Sequence, residues 1–344
     1  MMAGYEGHKM ADRTKQNDAK PNINVRRLTP DDLDGTVAID RAIVGHSRRG
    51  YFEKRLAAAL RDLDLHIQFG IDGPDGLEAT LLARVLSGEF GHAAKTVILE
   101  VIDVAPDCQH LGHGASLLAA LEAEMQTRGI ETLQTSILWT DHTMAKFLGA
   151  NDFVKAQRHI IAGGIDRLGQ TWGDDDETGD SDHGDDWDRV DDTEASSQDG
   201  IDVASLERED LDALVRIDRK LTGRDRRDYI AAKVDEALFD SGIRVSLVAR
   251  DDNIVVGFLM ARLDFGDFGR AAPAAVIDTV GVHPDFSGHG VARALLAQLV
   301  VNLRGLRVES IETTVALDNF DLLGFLYRAG FEPTQRIALT KQVA

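Results

Sequence analysis

The alternation of apolar and polar positions is clearest after residue 200. A short opening strand precedes a mixed apolar and acidic segment, Glu209–Leu221, that predicts a helix. Glu207, Glu209 and Asp210 lie near its start, where acids complement the positive end of the helix dipole. A second helix is expected over Arg226–Phe239. Two apolar runs, Arg244–Arg250 and Ile254–Leu263, read as strands joined by the turn-forming Asp251-Asp252-Asn253. A third run, Ala274–Val282, leads into a short loop with Gly288-His289-Gly290, then into an Ala- and Leu-rich helix. A strand (Ser310–Leu317), a short helix (Asp321–Gly330) and a last strand (Arg336–Gln342) complete the pattern. Helices interrupting a mostly antiparallel sheet predict an α+β fold.

The same pattern occurs earlier in the chain. VRRLTPDDLDGTVAIDRAIVGHSRRGY, from Val25, aligns without a gap with VASLEREDLDALVRIDRKLTGRDRRDY, from Val203. One offset also aligns Ala83-Arg84 with Ala261-Arg262, Phe90-Gly91 with Phe268-Gly269, and Val104, Pro106 and Asp107 with Val282, Pro284 and Asp285. It aligns Gly112 with Gly290, Phe147-Leu148 with Phe325-Leu326, and Gln157-Arg158 with Gln335-Arg336. A gapless register of this length indicates a duplication. The expected organisation is a polar tail (1–22), a first domain (23–165), an acidic linker (166–200) and a second domain (201–344). Two homologous domains can pack as an internal pseudo-dimer.

Charge and composition narrow the function. The chain has 344 residues, 43% of them hydrophobic, enough for two packed cores. A formal net charge of -20 argues against a nucleic-acid backbone as partner. Much of the acidic excess lies in GDDDETGDSDHGDDWDRVDDTE, residues 173–194, which reads as a solvated tether; it has no EF-hand frame, and His183 in it is not taken as a ligand. Cys108 is the single cysteine, so no disulfide framework or cysteine-based zinc cage is available, and no metal site is expected. The polar N-terminus lacks the apolar core of a secretory signal, and no apolar run is long enough to span a bilayer. A cytoplasmic location is the expectation.

The glycine loop carries the candidate chemistry. Glycines between a strand and a helix supply positive φ or close backbone approach, and the helix start directs unpaired N–H groups at the positive end of its dipole. This is an anion site, most often for phosphate. A dinucleotide-binding frame is absent: Arg293 and Leu117 stand where its third glycine would be, and the flanking strands read as a meander. No Walker frame is present either. What remains is V-x-P followed by [QR]-x-x-G-x-[GA] at a strand-to-helix turn. It reads Ser287-Gly288-His289-Gly290-Val291-Ala292 in the second copy and Gln109-His110-Leu111-Gly112-His113-Gly114 in the first. With Asn319, Tyr327 and Gly330-Phe331 downstream, this order resembles the GNAT superfamily of acyl-CoA-dependent N-acyltransferases. The resemblance covers nearly all of both domains. Ser287 departs from the family's Gln or Arg.

The resemblance implies acetyl-CoA as acyl donor and an amine, on a small molecule or a protein, as acceptor. It implies that the loop from Ser287 through Gly288, His289, Gly290, Val291, Ala292 and Arg293 holds the CoA pyrophosphate. Val280 and Val282 would pair with the pantetheine arm in a splayed gap, and Asn319 would belong to the same site. Tyr327 matches the family's general acid for the departing thiolate. Asp278, on the preceding strand, is the candidate base for the acceptor ammonium, acting through water; the alternative is a strand carboxylate facing solvent or an arginine. The copies are unequal: Tyr327, Asn319 and Gly330 correspond to Gly149, Asp141 and Asp152. Gln109, Gly112 and Gly114 could still hold CoA, but chemistry is expected in the second domain, with the first degenerate. Arg226, Arg227 and Tyr229, with counterparts Arg48, Arg49 and Tyr51, are candidates for gripping a carboxylate or phosphate on the acceptor, or for structural ion pairs. The competing class is a catalytically silent acyl-CoA-binding scaffold.

Overall fold

Two mixed seven-stranded sheets, each flanked by helices, form the molecule. The computed structural model describes residues 23–86, 94–168, 201–240, 245–264 and 274–343; the polar tail and most of the acidic tether lie outside them, as do Phe90-Gly91 and Phe268-Gly269. The first half runs β1 (Val25–Arg27), α1 (Leu33–Val44), α2 (Arg49–Arg61), β2 (His66–Gly73), β3 (Gly76–Leu86), β4 (Thr96–Val104), α3 (His113–Thr127), β5 (Thr132–Leu138), α4 (His142–Ala150), β6 (Val154–Lys155) and β7 (Arg158–Gly164). The second repeats it as β8 (Ile201–Ser205), α5 (Leu211–Thr222), α6 (Arg227–Asp235), β9 (Leu247–Asp251), β10 (Ile254–Asp264), β11 (Ala274–Val282), α7 (Val291–Gly305), β12 (Ser310–Ala316), α8 (Phe320–Arg328), β13 (Glu332–Pro333) and β14 (Arg336–Gln342). Among the described residues, no helix is long and apolar enough to cross a membrane.

Local chemistry explains these elements. The hairpin between β9 and β10 turns on Asp252 and Asn253, both at positive φ, as a two-residue primed turn requires. Side chains alternate across each sheet. On β10, Leu259 and Ala261 enter the core under α7 and α8, whereas Phe258 and Met260 enter the core under α5 and α6. The helix expected to run to Phe239 is α-helical only to Asp235 and then widens into a π turn over Glu236–Asp240.

The halves exchange their last long strands. The first sheet has the order β1-β2-β3-β4-β5-β14-β6, and the second β13-β7-β12-β11-β10-β9-β8. β14 runs antiparallel to β5 from Arg336↔Leu138 to Gln342↔Thr132. Reciprocally, β7 runs antiparallel to β12 from Arg158↔Ala316 to Gly164↔Ser310. Ile161, from the first half, lies in the core of the second sheet, and Val343, from the second, in that of the first. Where β7 and β14 approach, Ala156, Ile160 and Ala338 form a small cluster of their own.

Because each core needs a strand from the other half, Ile161→Ala should destabilise the whole chain. A loss of roughly 2–5 kcal/mol is expected for a fully buried isoleucine. Urea unfolding followed by circular dichroism should show one transition at a lower midpoint. Two resolved transitions would mean that the exchanged strands do not couple the halves.

Candidate active site

The candidate site grows from a defect in each sheet. β11 and β12 are parallel but pair only at Ala274↔Ser310, Ala275↔Ile311 and Val276↔Glu312. Past Val276 they diverge, so the edge of β11 toward Val282 faces a gap instead of a strand. A bulge assists this: Met260 pairs with Thr279 and Ala261 with Ile277, which leaves Asp278 as the extra residue. Thr313 Oγ1 donates to the Ile277 carbonyl at 3.0 Å and satisfies one acceptor where the strands part. An apolar pocket lies at the gap, lined by Leu259, Ile277, Val280, Leu296, Thr313, Leu322, Phe325 and Leu326.

The glycine loop closes the end of β11. A helical turn at Pro284–Phe286 precedes it, and α7 starts at Val291 with Gly290 as its N-cap. Gly288 and Gly290 have φ of +80° and +75°, and a Cβ on either would meet nothing within 4 Å. Backbone conformation therefore demands glycine there, while the space in front of the loop stays open. Ser287 and His289 fold the loop on itself through a 3.0 Å contact between His289 Nδ1 and the Ser287 carbonyl. The first N–H groups of α7 point toward the open space before the loop, at the positive end of the helix dipole.

Tyr327 lies in the last turn of α8, 39% exposed. Its hydroxyl is 3.1 Å from His159 Nδ1, on the exchanged strand β7. Asn319 caps α8: its side-chain oxygen accepts from the Leu322 N–H at 3.3 Å. Asp141 caps α4 in the same way, accepting from the Met144 N–H at 2.9 Å.

Asp278 turns toward α6 and not into the apolar pocket. Its carboxylate is 3.6 Å from both Lys233 Nζ and Arg262 Nε, and the residue is 8% exposed. Lys233 also binds Glu236 at 2.9 Å, and Glu236 binds Arg84 of the first half at 2.8 Å. Arg84 is 3.4 Å from Glu100, the counterpart of Asp278, which Arg55 holds at 2.5 Å. A continuous charge network thus joins the bulge carboxylates of the two halves. Burial would raise Glu236, but Lys233, Arg84 and Arg262 outweigh it and hold the carboxyl well below its ordinary range.

The arginine pairs are largely engaged within the fold. Arg226 donates from Nε to Asp218 at 2.9 Å and lies over the Tyr229 ring at 4.7 Å. Arg48 repeats this with Asp40 and Tyr51. Arg227 is exposed and pairs with Asp212 at 2.7 Å.

The first half keeps the backbone of the site and changes its contents. β4 and β5 also pair over three residues and then part, with Thr135 Oγ1 donating to the Leu99 carbonyl at 3.0 Å. Gly112 has φ +93°, yet a Cβ on it would lie 3.8 Å from Ile23. His110, in the place of Gly288, adopts φ +64° without being glycine. Phe147 sits against Gly114, about 3.0 Å from where a Cβ would be. His113, at the first position of α3, is buried and its Nε2 lies 2.8 Å from Glu78. Gln109 reaches back toward the Val104 carbonyl at 3.4 Å.

Asp103 stands where the second half has Gly281. Burial and then the charge of Asp40 push its carboxyl up to about 7, with Arg48 pulling the other way. Comparing the copies position by position could have flagged Asp103. Nothing in the linear sequence could have flagged His159, whose role depends on the strand exchange.

Comparisons with known proteins agree with this geometry. The acetyltransferase (GNAT) family model matches residues 211–331, which contain β11, the glycine loop and Tyr327. Mycothiol acetyltransferase of Propionibacterium freudenreichii subsp. shermanii is 33% identical over 150 residues, 40% of this chain and 45% of that protein, so the match spans less than half of that relative. Among solved structures, a tandem GNAT protein from the clavulanic acid biosynthesis pathway aligns with a TM-score of 0.60 at 16% identity, covering 94% of this chain and 99% of the other. A GCN5-related N-acetyltransferase from Sphaerobacter thermophilus aligns with a TM-score of 0.58 at 18% identity, covering 94% and 96%. The fold is that of GNAT acetyltransferases, and the family match falls on the half that carries the open glycine loop. Residues 211–331 form a domain of the acetyltransferase (GNAT) family, and the chain is a tandem of two GNAT-like domains.

Asp103 sets a pH-dependent prediction. A folded carboxyl raised from about 3.9 to about 7 favours folding while protonated, and that contribution is lost as pH rises between those values. Asp103→Asn should therefore flatten the decline of stability across this window. At pH 8 it should be more stable than the wild type, by no more than about 4 kcal/mol. Urea denaturation of both proteins at pH 5 and pH 8 measures the difference.

Proposed function

We propose that this chain is an N-acetyltransferase whose second half moves an acetyl group from acetyl-CoA to an amine. The observation that carries the proposal is the splayed β11 edge, bordered by an open glycine loop and an apolar pocket, with a tyrosine on the helix that lines it. These features fit the donor in three respects. The N–H groups at the start of α7, at the positive end of its dipole, suit the pyrophosphate. The free β11 edge from Val280 to Val282 suits an amide-bearing pantetheine arm. The apolar pocket suits the acyl end. Acetyl-CoA supplies an activated acetyl thioester; the protein's own contribution is to orient it against the acceptor and to handle protons.

Tyr327 is the proposed donor of the proton to the leaving sulfur, and Asp278 the proposed base for the acceptor ammonium, through water. Lys233 and Arg262 orient the Asp278 carboxylate. Arg226, buried with Asp218 under Tyr229, is proposed as a wall of the acceptor cleft; exposed Arg227 is the member of the pair offered to an acceptor anion. Asn319 is proposed to act on CoA indirectly, by setting the start of α8. Because a similar protein is named mycothiol acetyltransferase, an amine of the mycothiol type is the first acceptor to try. The first half is proposed as a support: the Glu78–His113 pair and Gly149, in the place of Tyr327, weigh against chemistry there.

Calorimetric titration with acetyl-CoA tests the reading. One site is expected, lost in Gly290→Glu and kept in Gly112→Glu. A glutamate fits sterically at Gly290 but brings a carboxylate to the phosphate position and strains the backbone. Turnover with an amine panel should fall by about 10²-fold or more in Tyr327→Phe. Asp278→Asn should lower kcat with KM for acetyl-CoA retained; a loss of stability alone would reduce Asp278 to a strut of the charge network. No binding to the wild type would overturn the donor.

A further inference from the structure

We propose that His159, delivered by the exchanged strand from the first half, is a positioning residue for Tyr327, so that the site is incomplete without the other copy. This rests on the functional reading above and assigns the first half a part in it.

The two residues are far apart in sequence and meet only because β7 lies beside β12. His159 is opposite Val315 in that pairing. Chain continuity then sets the distance. β12 ends at Ala316, α8 starts at Phe320, and Tyr327 falls in its last turn, 3.1 Å from the imidazole Nδ1. A strand is a rigid mount for such a contact, because its register is held by a full ladder of backbone hydrogen bonds. The phenol is 39% exposed, so without a partner its hydroxyl would be free to bond to water in several orientations. A group that must donate a proton to one sulfur gains from having a single orientation.

The duplication supplies an internal control. The strand exchange is symmetric in backbone: β14 meets β5 as β7 meets β12. The side chains are not symmetric. The counterpart of His159 is Ile337 and the counterpart of Tyr327 is Gly149. Histidine and tyrosine occur together at the junction in the second sheet, and neither occurs at the matching junction in the first. If His159 served only the β7–β12 ladder, an apolar residue such as Ile337 would do as well, since backbone atoms make that ladder.

A double-mutant cycle tests the proposal. His159→Ala should lower kcat by roughly ten-fold or more while KM for acetyl-CoA stays within about two-fold. The same change in a Tyr327→Phe background should cost nothing further. His159→Asn, whose amide can occupy the Nδ1 position, should restore most of the rate. A second readout is independent of turnover: in protein labelled with 13C-tyrosine, the Tyr327 Cζ resonance, assigned by Tyr327→Phe among the four tyrosines, should move in His159→Ala. An unmoved resonance, an unchanged kcat, or an equal further loss in the Tyr327→Phe background would each overturn the assignment. A wild type without transferase activity would overturn the functional reading instead, and the resonance would still report whether His159 holds the phenol.

Discussion

The reciprocal pairing of β7 with β12 and of β14 with β5 is the constraint on which this molecule depends. Without it, β5 and β12 would each be a sheet edge with unsatisfied N–H and C=O groups, and the aliphatic residues beneath would lose their cover. Pairing within each half could in principle satisfy the same groups. In the exchanged arrangement each of the two cores is completed by a strand from the other half. In the second sheet β8 is one edge, and β7 lies toward the other with only the short β13 outside it.

The charge network is the second tie. Buried ion pairs recover their desolvation cost only when geometry is good and remaining groups are satisfied. Here the carboxylates at both bulges are held by cations from two elements each: Glu100 by Arg55 and Arg84, Asp278 by Lys233 and Arg262. Glu236 links the sets across the halves. Its counterpart is Ala58, so the link is made once, and the pseudo-symmetry is broken at the interface as well as at the sites.

Duplication allowed the copies to diverge around a shared frame. Both retain the parting of two parallel strands, the bulge and a threonine bonded to the carbonyl at the fork. The second half keeps the loop open and the pocket apolar. The first carries the Glu78–His113 pair and the Asp103 carboxyl where the second has Val256, Val291 and Gly281. The Glu78–His113 pair has no equivalent at Val256 and Val291, so the two copies differ in charge beside the same helix.

Much of the fold was legible in the sequence because its causes are local. Period-2 and helical apolar patterns, Asp252-Asn253 at the hairpin and glycines at positive φ before α7 each express the conformational preference of a few adjacent residues. The duplication was legible because one offset carries the pattern from one half to the other. The tertiary structure alone decided which sheet each last strand joins. β7 and β14 read alike, and either edge strand offers the same backbone groups, so apolar periodicity does not distinguish pairing in cis from pairing in trans. It alone decided that Arg226 is folded onto Asp218, that Asp278 joins a network spanning both halves, and that His159 meets Tyr327. Those contacts arise between residues far apart in sequence, and only the packing of the whole chain brings them within hydrogen-bonding distance.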